Sequence, residues 1–459
     1  MNMNIESVEK AEIFPLNNPS NNTYSFKRGH GTITFDIAPQ AKLLRPSSLR
    51  LNGTLKVLQA DGASLPDNNG LKSNNGGATT IQLNDKIGAN SVIQNVSINS
   101  SQTGQSIEVV RNYGKMVSTL LSSTHSSEDF QSNQSVVALD TAVQTSSDNL
   151  VNNEVSFSIP FYAGVMNSGK AIPLGNNGMR GLQFVLELAA DQQVLKGAAA
   201  GTGTGASYEL INVSLSYDLL VPDAAGQEAM MVPGSGAFEY NAYNSLYSVI
   251  NASDNTQTFN LSAQNVLSVF HSFLPTTHQN NYGFDGYANP PLMNRTGTAY
   301  NVKATLEKVN FSRGGLKLGL DYELDVKKQS EENRPETGVM LNALNSVRPF
   351  YNLTHLLNQP LTLGYGAKDL RPYSQSEVEE LTSVDSVANG GVAFPASSRN
   401  FAIGLALDNV SNEGMSFQGV SYAVRIRSTL DGNSPNSVYT YALVKNRLNY
   451  SPQGIQVVS

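Results

Sequence analysis

Apolar residues in this chain recur at every second position far more often than at helical spacing. Ile33, Phe35 and Ile37 share one face, as do Leu49, Leu51, Leu55 and Val57 with Gly53 in the same row. Val155, Phe157, Ile159 and Phe161 follow, then Leu182, Phe184, Leu186 and Leu188, then Ile211, Val213, Leu215, Tyr217 and Leu219. Strict alternation sets one face of a strand on a core and the other in water, so each stretch predicts a half-buried β-strand. The later part of the chain continues in the same style. Val302, Ala304 and Leu306 alternate, and Leu316, Leu318, Leu320, Tyr322, Leu324 and Val326 form the longest clean row. Phe401, Ile403, Leu405 and Leu407 come next, then Val420, Tyr422, Val424 and Ile426, with a last strand near 437–446. Helical spacing is rare. Ile107, Val110, Val117 and Leu120 fit one helical face and predict a short helix over 106–122. Residues 338–347 predict a second, stopped ahead of Pro349 because the residue before a proline avoids the α conformation.

The pattern also repeats. TITFDIAPQ at 32–40 returns as TQTFNLSAQ at 256–264, an offset of 224. RGLQFVLEL at 180–188 resembles RNFAIGLAL at 399–407, an offset of 219, and each is followed by a further strand. Two echoes in the same order argue for a duplicated domain. Between the halves, VPDAAGQEAMMVPGSGAF at 221–238 carries Pro222, Pro233 and three glycines, the composition of a linker. The expected organisation is therefore all-β: an N-terminal domain over 1–222, a linker over 223–238 and a C-terminal domain over 239–459. Halves of about 200 residues suit two tandem eight-stranded jelly-roll sandwiches, each folded from two Greek keys into facing sheets. They are twice the ~100 residues of an immunoglobulin-type sandwich. Long polar loops at 59–80, 123–150, 193–206 and 364–400 would gather at the ends of such sandwiches, where they can face partners.

Composition narrows the picture further. Charged residues make up 15% of the 459, against roughly 25% in an average globular protein. Asn, Ser, Gly and Thr supply the polarity instead, which favours strands and turns over helices. Net charge is −7, and the opening MNMNIESVEKAEIFPLNNPS is not a basic arm, so direct sequence-specific binding of nucleic acid is not expected. The same opening lacks the basic and apolar regions of a signal peptide, and no apolar run approaches the ~18 residues of a membrane span. The chain has no cysteine, which excludes a disulfide scaffold, a thiolate metal site and a cysteine nucleophile, and leaves the redox compartment open.

The candidate chemistry is thin. Gly164 to Lys170 (GVMNSGK) fits G-x-x-x-x-G-K, the loop that cradles phosphate, and follows a strand. Ala171 stands where a hydroxyl should hold magnesium, and Pro173 stops the helix whose N-terminus should meet the phosphate, so a connecting turn is the favoured reading. His30 sits in a turn-like Arg28-Gly29-His30-Gly31, His125 lies near Glu128 and Asp129 in a Ser-rich loop, and His271 and His278 flank Pro275 without a third ligand. Asp321, Glu323 and Asp325 share the outer face of one strand, as Arg425 and Arg427 do of another, and both rows read first as wet sheet faces. No G-x-S-x-G elbow or H-E-x-x-H helix occurs. No catalytic, cofactor-binding or metal-ligating residue is assigned, no cofactor is expected, and the chain is not read as an enzyme.

Two tandem jelly rolls with long apical loops resemble one family, the double jelly-roll major capsid proteins of icosahedral double-stranded DNA viruses. The resemblance is carried by GTITFDIAPQAKLLRPSSLRLNGTLKVL (31–58), EVSFSIPFYAG (154–164), RGLQFVLELA (180–189), NFAIGLALDNV (400–410) and GVSYAVRIRSTL (419–430). The size is similar to that of polinton-like virus and virophage members. The resemblance implies a homotrimer in which six similar wedges make a pseudo-hexagonal capsomer, followed by trimer–trimer contacts across a facet. It also implies penton and minor capsid proteins as partners, an internal membrane or separate core proteins on the inner side, and a place in the virion shell after assembly inside the host cell. The rival readings are a glycan-binding β-sandwich spike or adhesin, whose aromatic platforms would come from the tyrosines of 240–247 and 282–300, and a β-sandwich carbohydrate-active enzyme working through a carboxylate pair.

Overall fold

The computed structural model describes residues 4–17, 22–64, 81–84, 87–124, 154–167, 169–197, 205–290, 292–296, 299–304, 306–318, 324–325, 402–407 and 413–459. Its principal strands are β1 (Ile5–Ile13), β2 (Thr32–Ile37), β3 (Leu43–Leu58), β4 (Ile93–Asn99), β5 (Ser106–Val110), β6 (Glu154–Pro160), β7 (Leu182–Leu188) and β8 (Ser207–Pro222). They continue with β9 (Gly236–Ile250), β10 (Asp254–Phe259), β11 (Val266–Pro275), β12 (Leu306–Arg313), β13 (Leu316–Leu318), β14 (Ile403–Ala406), β15 (Tyr422–Ser428) and β16 (Asn436–Ser451). Helices are α1 (Tyr113–Thr124), α2 (Asp191–Val194) and α3 (Ala224–Met231).

Hydrogen bonding sorts these strands into four main paths. The first half builds β1-β8-β3-β6 and β2-β7-β4-β5. The second half builds β9-β16-β11-β14 and β10-β15-β12-β13. Every strand of the first half thus has a counterpart in the same place in the second, and shorter strands lie off the paths, such as 454–458 beside β16. The pairings are antiparallel throughout, as Phe35 opposite Phe184 and Phe259 opposite Tyr422 illustrate. In each half two such sheets close on a core. Ile33, Phe35 and Ile37 of β2 and Leu182, Phe184, Leu186 and Leu188 of β7 all point into it. In the second half the corresponding places are taken by Phe259 on β10 and by Tyr422, Val424 and Ile426 on β15. Buried apolar residues of both halves join in one continuous cluster.

Several expectations are corrected. The echo of 32–40 at 256–264 is genuine, because β2 and β10 occupy the same place in their sheets. The second echo is not. Residues 180–188 contain β7, but 399–407 contain β14, which pairs β11 in the other sheet and is the counterpart of β6; the counterpart of β7 is β15. Alternation alone makes all core strands look alike, so a short match joined the wrong two.

The helix expected over 106–122 is a strand followed by a helix. Ile107, Val109 and Val110 are β-branched and lie in β5, which pairs with β4. Asn112 then takes a left-handed φ of 52° and breaks the strand, and α1 starts at Tyr113. Tyr113, Met116, Val117 and Leu120 form the buried stripe of that helix.

Residues 223–238, expected as a linker, hold α3 and the start of β9. Asp223 caps the helix by accepting from the Gly226 N–H at 2.8 Å, and an Ala/Gln/Glu/Met run propagates it. The row from Leu316 to Val326 appears as β13 and the short strand Leu324–Asp325, with Asp321 and Glu323 outside the described residues. The helix expected at 338–347, His125, and the whole of the loop 364–400 also lie outside them. No helix among the described residues is long and apolar enough to cross a membrane.

Candidate functional site

Among the described residues, a dense polar network lies in the seam where β5 and α1 of the first half meet β9, β11, β16 and the segment 276–289 of the second. Glu108 enters it from β5. Its carboxylate accepts from the N–H of Gly164 at 2.9 Å, of Val165 at 2.9 Å and of Tyr243 at 2.7 Å. The first two donors belong to the first half and the third to β9, so one carboxylate ties three backbone segments together. Burial pushes this carboxyl up to about 7, against the opposing pull of the three N–H groups. The approach is close: a Cβ on Gly164 would meet the Ala242 Cα at 2.7 Å.

Gly164 to Lys170 is the stretch that resembled a phosphate loop. Its first two amides do bind an anion, but the anion is the chain's own Glu108. The loop thus has a structural use for its first two N–H groups.

Seven residues on, Lys115 is fully buried on α1. Its ammonium donates to the Phe273 carbonyl at 3.2 Å and, more tightly, to the Ala288 carbonyl, and it lies 5.4 Å from the centroid of the Tyr439 ring. Burial pulls its pKa down to about 7, with the nearby Asp285 charge pulling the other way. Asp285 accepts from the Asn84 amide at 2.6 Å and from the Tyr287 N–H at 3.0 Å. Ser118, one turn beyond Lys115, donates to the Tyr287 carbonyl at 2.8 Å and accepts from the Asn289 amide at 2.9 Å.

Tyrosines finish the seam. The Tyr287 hydroxyl donates to the Ser91 carbonyl at 2.5 Å, Tyr441 to Asn112 at 2.9 Å, Tyr240 to Ile107 at 3.0 Å and Tyr282 to Ala206 at 2.7 Å. Every one of these bonds crosses from one half to the other. Gly114 is held as small as Gly164, because a Cβ there would meet the Tyr287 ring at 2.6 Å.

Of the remaining candidates only His278 lies in this seam, near Asp285 and Lys115. His271 is a core residue between Thr440 and Tyr422, each 2.8 Å from a ring nitrogen, and burial pulls it down to about 3. His278 stacks on Phe284 with centroids 3.9 Å apart and is likewise pulled down to about 3. His30 sits in the turn that pairs it with Ser25. Arg425 forks onto Asp254 of β10 at 2.9 and 2.5 Å on an exposed sheet face, and Arg427 approaches the same carboxylate at 3.9 Å. Glu108, Lys115 and Asp285, the groups that matter most in the seam, were not singled out from sequence. The visible signal was Glu108 and Lys115 among the apolar residues of 106–122, a stretch that also holds Arg111.

The strand order invites comparison with solved structures. The chain is similar along its whole length to the quasi-atomic model of the PBCV-1 virus capsid, with 12% identity and a TM-score of 0.58 over 100% of this chain and 98% of that one. It is also similar to the Faustovirus major capsid protein, at 10% identity and TM-score 0.56 over 98% and 91%. A third similarity is to the Sputnik virophage structure solved by cryo-EM, at 9% and 0.52 over 99% and 88%. The fold is the double jelly roll. No family model matches the sequence, and no curated protein matches it. The two jelly rolls of this chain correspond to the two sets of paths described above, and the seam is the join between them.

Proposed function

We propose that this chain is the major capsid protein of an icosahedral double-stranded DNA virus, a structural protein of the shell rather than an enzyme. The observation that carries the reading is the repetition of one strand order in two halves that a buried seam fixes to each other. A rigid pair of similar wedges is the unit from which three copies make six, and six similar wedges fill a hexagonal tile. The fold likeness to the Faustovirus major capsid protein and the PBCV-1 capsid supports the same reading.

The two wedges are residues 1–222 and 239–459, with α3 in the segment between. The partners the reading carries are further copies of itself in a trimer, then trimer–trimer contacts, with penton and minor capsid proteins at the special positions of the shell and an internal membrane or separate core proteins on the inner side. The glycan-binding alternative loses its main support. Of the tyrosines of 240–247 and 282–300 that would have supplied stacking platforms, Tyr240, Tyr243, Tyr282 and Tyr287 are buried, and Tyr247 is exposed.

Sedimentation of the purified protein tests the proposal. A species of three times 49.2 kDa that persists at micromolar concentration is expected. Its interfaces should bury more than about 2,000 Å² per pair, as obligate assemblies do. A monomer at all concentrations overturns it.

A further inference from the structure

Among the described residues Lys115 is the only buried lysine. It shares one face of α1 with Ser118, one turn further on. That face meets the segment 285–289 of the second half. Lys115 donates to the carbonyl of Ala288, and Ser118 accepts from the side-chain amide of the next residue, Asn289, at 2.9 Å. One helix face thus ties an amine and a carboxamide to the same short segment. Asp285 completes the group: it accepts from the Tyr287 N–H at 3.0 Å within that segment, and its charge acts on Lys115. Lys115, Asp285 and Asn289 are 1%, 2% and 1% exposed, so the group is shielded from bulk water.

Two features set this group apart from a simple buried ion. Asn289 Oδ1 is buried and accepts no hydrogen bond among the described residues, although an orphaned buried acceptor is costly. The second concerns the amine. The two N–H groups of a neutral amine suffice for the Phe273 and Ala288 carbonyls and leave its lone pair uncommitted. Burial draws the Lys115 pKa down to about 7, so near neutrality a large share of the amine is in that neutral form. A lone pair, an amide carbon and a carboxyl group held together away from water are the parts of an amide exchange.

We propose that Lys115 and Asn289 become joined by an isopeptide bond that staples the two jelly rolls of one chain together. The Lys115 Nζ lone pair attacks Cγ of Asn289, and the new N–C bond forms as charge moves onto Oδ1. Asp285 takes the proton that Nζ gives up and passes it to Nδ2. The Cγ–Nδ2 bond then breaks, Oδ1 returns to a carbonyl, and Nδ2 leaves as ammonia with the bonding pair. No oxidant or further reactant is consumed. Ser118, whose hydroxyl holds Nδ2, positions the leaving nitrogen. Until the bond forms, Lys115 remains an amine held by two carbonyls and titrates as one. The joined residues are far apart in sequence, so the staple closes a long loop and restricts the unfolded chain accordingly. The staple does not depend on the capsid reading, and its failure leaves that reading standing.

Peptide mapping of the purified full chain, aged, denatured and digested with trypsin, tests the staple. The expected map lacks cleavage after Lys115. It contains the peptide bearing Lys115 joined to the peptide bearing Asn289, lighter than their sum by one ammonia. Intact mass alone does not decide, because a succinimide at an Asn-Gly pair such as Asn177-Gly178 also loses ammonia. Lys115→Arg and Asn289→Ala are expected to abolish the joined peptide, and Asp285→Asn to slow its appearance about 100-fold. Full cleavage after Lys115, with both peptides unjoined in the aged unmodified chain, overturns the staple. That map decides without the variants, so a variant that fails to fold does not blur the result. An Asp285→Asn chain that joins as fast as the unmodified one overturns the proton route through Asp285.

Discussion

The outward faces of two equivalent sheets have been given opposite characters. On β1-β8-β3-β6 the outward face is a polar net: Ser214 donates to Glu12 at 2.6 Å, Asn52 to Ser216 at 2.8 Å and Ser158 to Asn52 at 2.7 Å. Arg45 lies 3.7 Å from Asp218 at its margin. On β9-β16-β11-β14 the same face carries Tyr243, Phe270 and Tyr441, with ring centroids 6.3 and 5.4 Å apart in succession, and it disappears under β5 and α1. The backbone solution is the same. What differs is the partner: a face covered within its own chain can be aromatic provided that every buried polar group is tied down, whereas a face open to water keeps hydroxyls and amides. The seam of this double jelly roll is thus a specialised copy of a surface that the other half keeps open.

Removing a buried charge from the covered face should break this contrast most visibly. Lys115→Ala takes a donor from the Phe273 and Ala288 carbonyls and a nearby positive charge from Asp285, and is expected to lower stability by about 3–5 kcal/mol. Asn52→Ala on the open face, where water can replace the lost partner, should cost about 1 kcal/mol. Urea unfolding of the two variants side by side checks the difference, and equal losses would mean that the seam is not the tighter of the two.

The next effect is steric. Gly164→Ala drives a methyl against the Ala242 backbone and should cost about 1–3 kcal/mol. Gly31→Ala, where a Cβ would find only the Phe26 ring at 3.8 Å, serves as the control. Its expected change is within about 0.5 kcal/mol.

The pH dependence sharpens the comparison because only the seam has strongly shifted groups facing each other's half. Glu108 rises from 4.5 to about 7 on folding, so between those values the folded chain holds more protons than the unfolded one and its contribution is lost as pH rises. Lys115 falls from 10.5 to about 7, so its contribution is lost as pH falls from 10.5 towards 7. His278 in the same seam is pulled from 6.5 down to about 3, so its contribution is lost as pH falls through that range and opposes that of Glu108 on the acid side. Glu108→Gln should flatten the acid limb, a change on the order of 3 kcal/mol across it. Unfolding midpoints at several pH values, compared between the protein and the variant, check this, and parallel curves would contradict it. Smallest of all, Asp254→Asn on the exposed face beside Arg425 should leave the midpoint unmoved, since solvent screens that pair.

Much of the fold was legible because alternation is a local property. The strands β2, β7 and β15 follow directly from Ile33-Phe35-Ile37, Leu182 to Leu188 and Tyr422-Val424-Ile426. Which strand answers which was less legible, since β7 and β14 carry the same alternation and only their hydrogen-bonded neighbours tell them apart. The break at Asn112 was hidden by chance: Ile107 and Val110 stand three apart on a strand and mimic the helical stripe that Val117 and Leu120 truly form. The seam was not legible at all. Glu108 finds Tyr243 across 135 residues and Lys115 finds Ala288 across 173, and no local pattern encodes such pairings. The G-x-x-x-x-G-K stretch shows the limit well: sequence could mark a loop whose amides suit an anion, but only the fold reveals that the anion is a glutamate 56 residues earlier.

Cryo-electron microscopy of the purified assembly tests the central claim most directly, that two equivalent wedges held by one seam build a hexagonal tile. The expected reconstruction is a threefold particle with six similar lobes. A single chain with no threefold partners would contradict it.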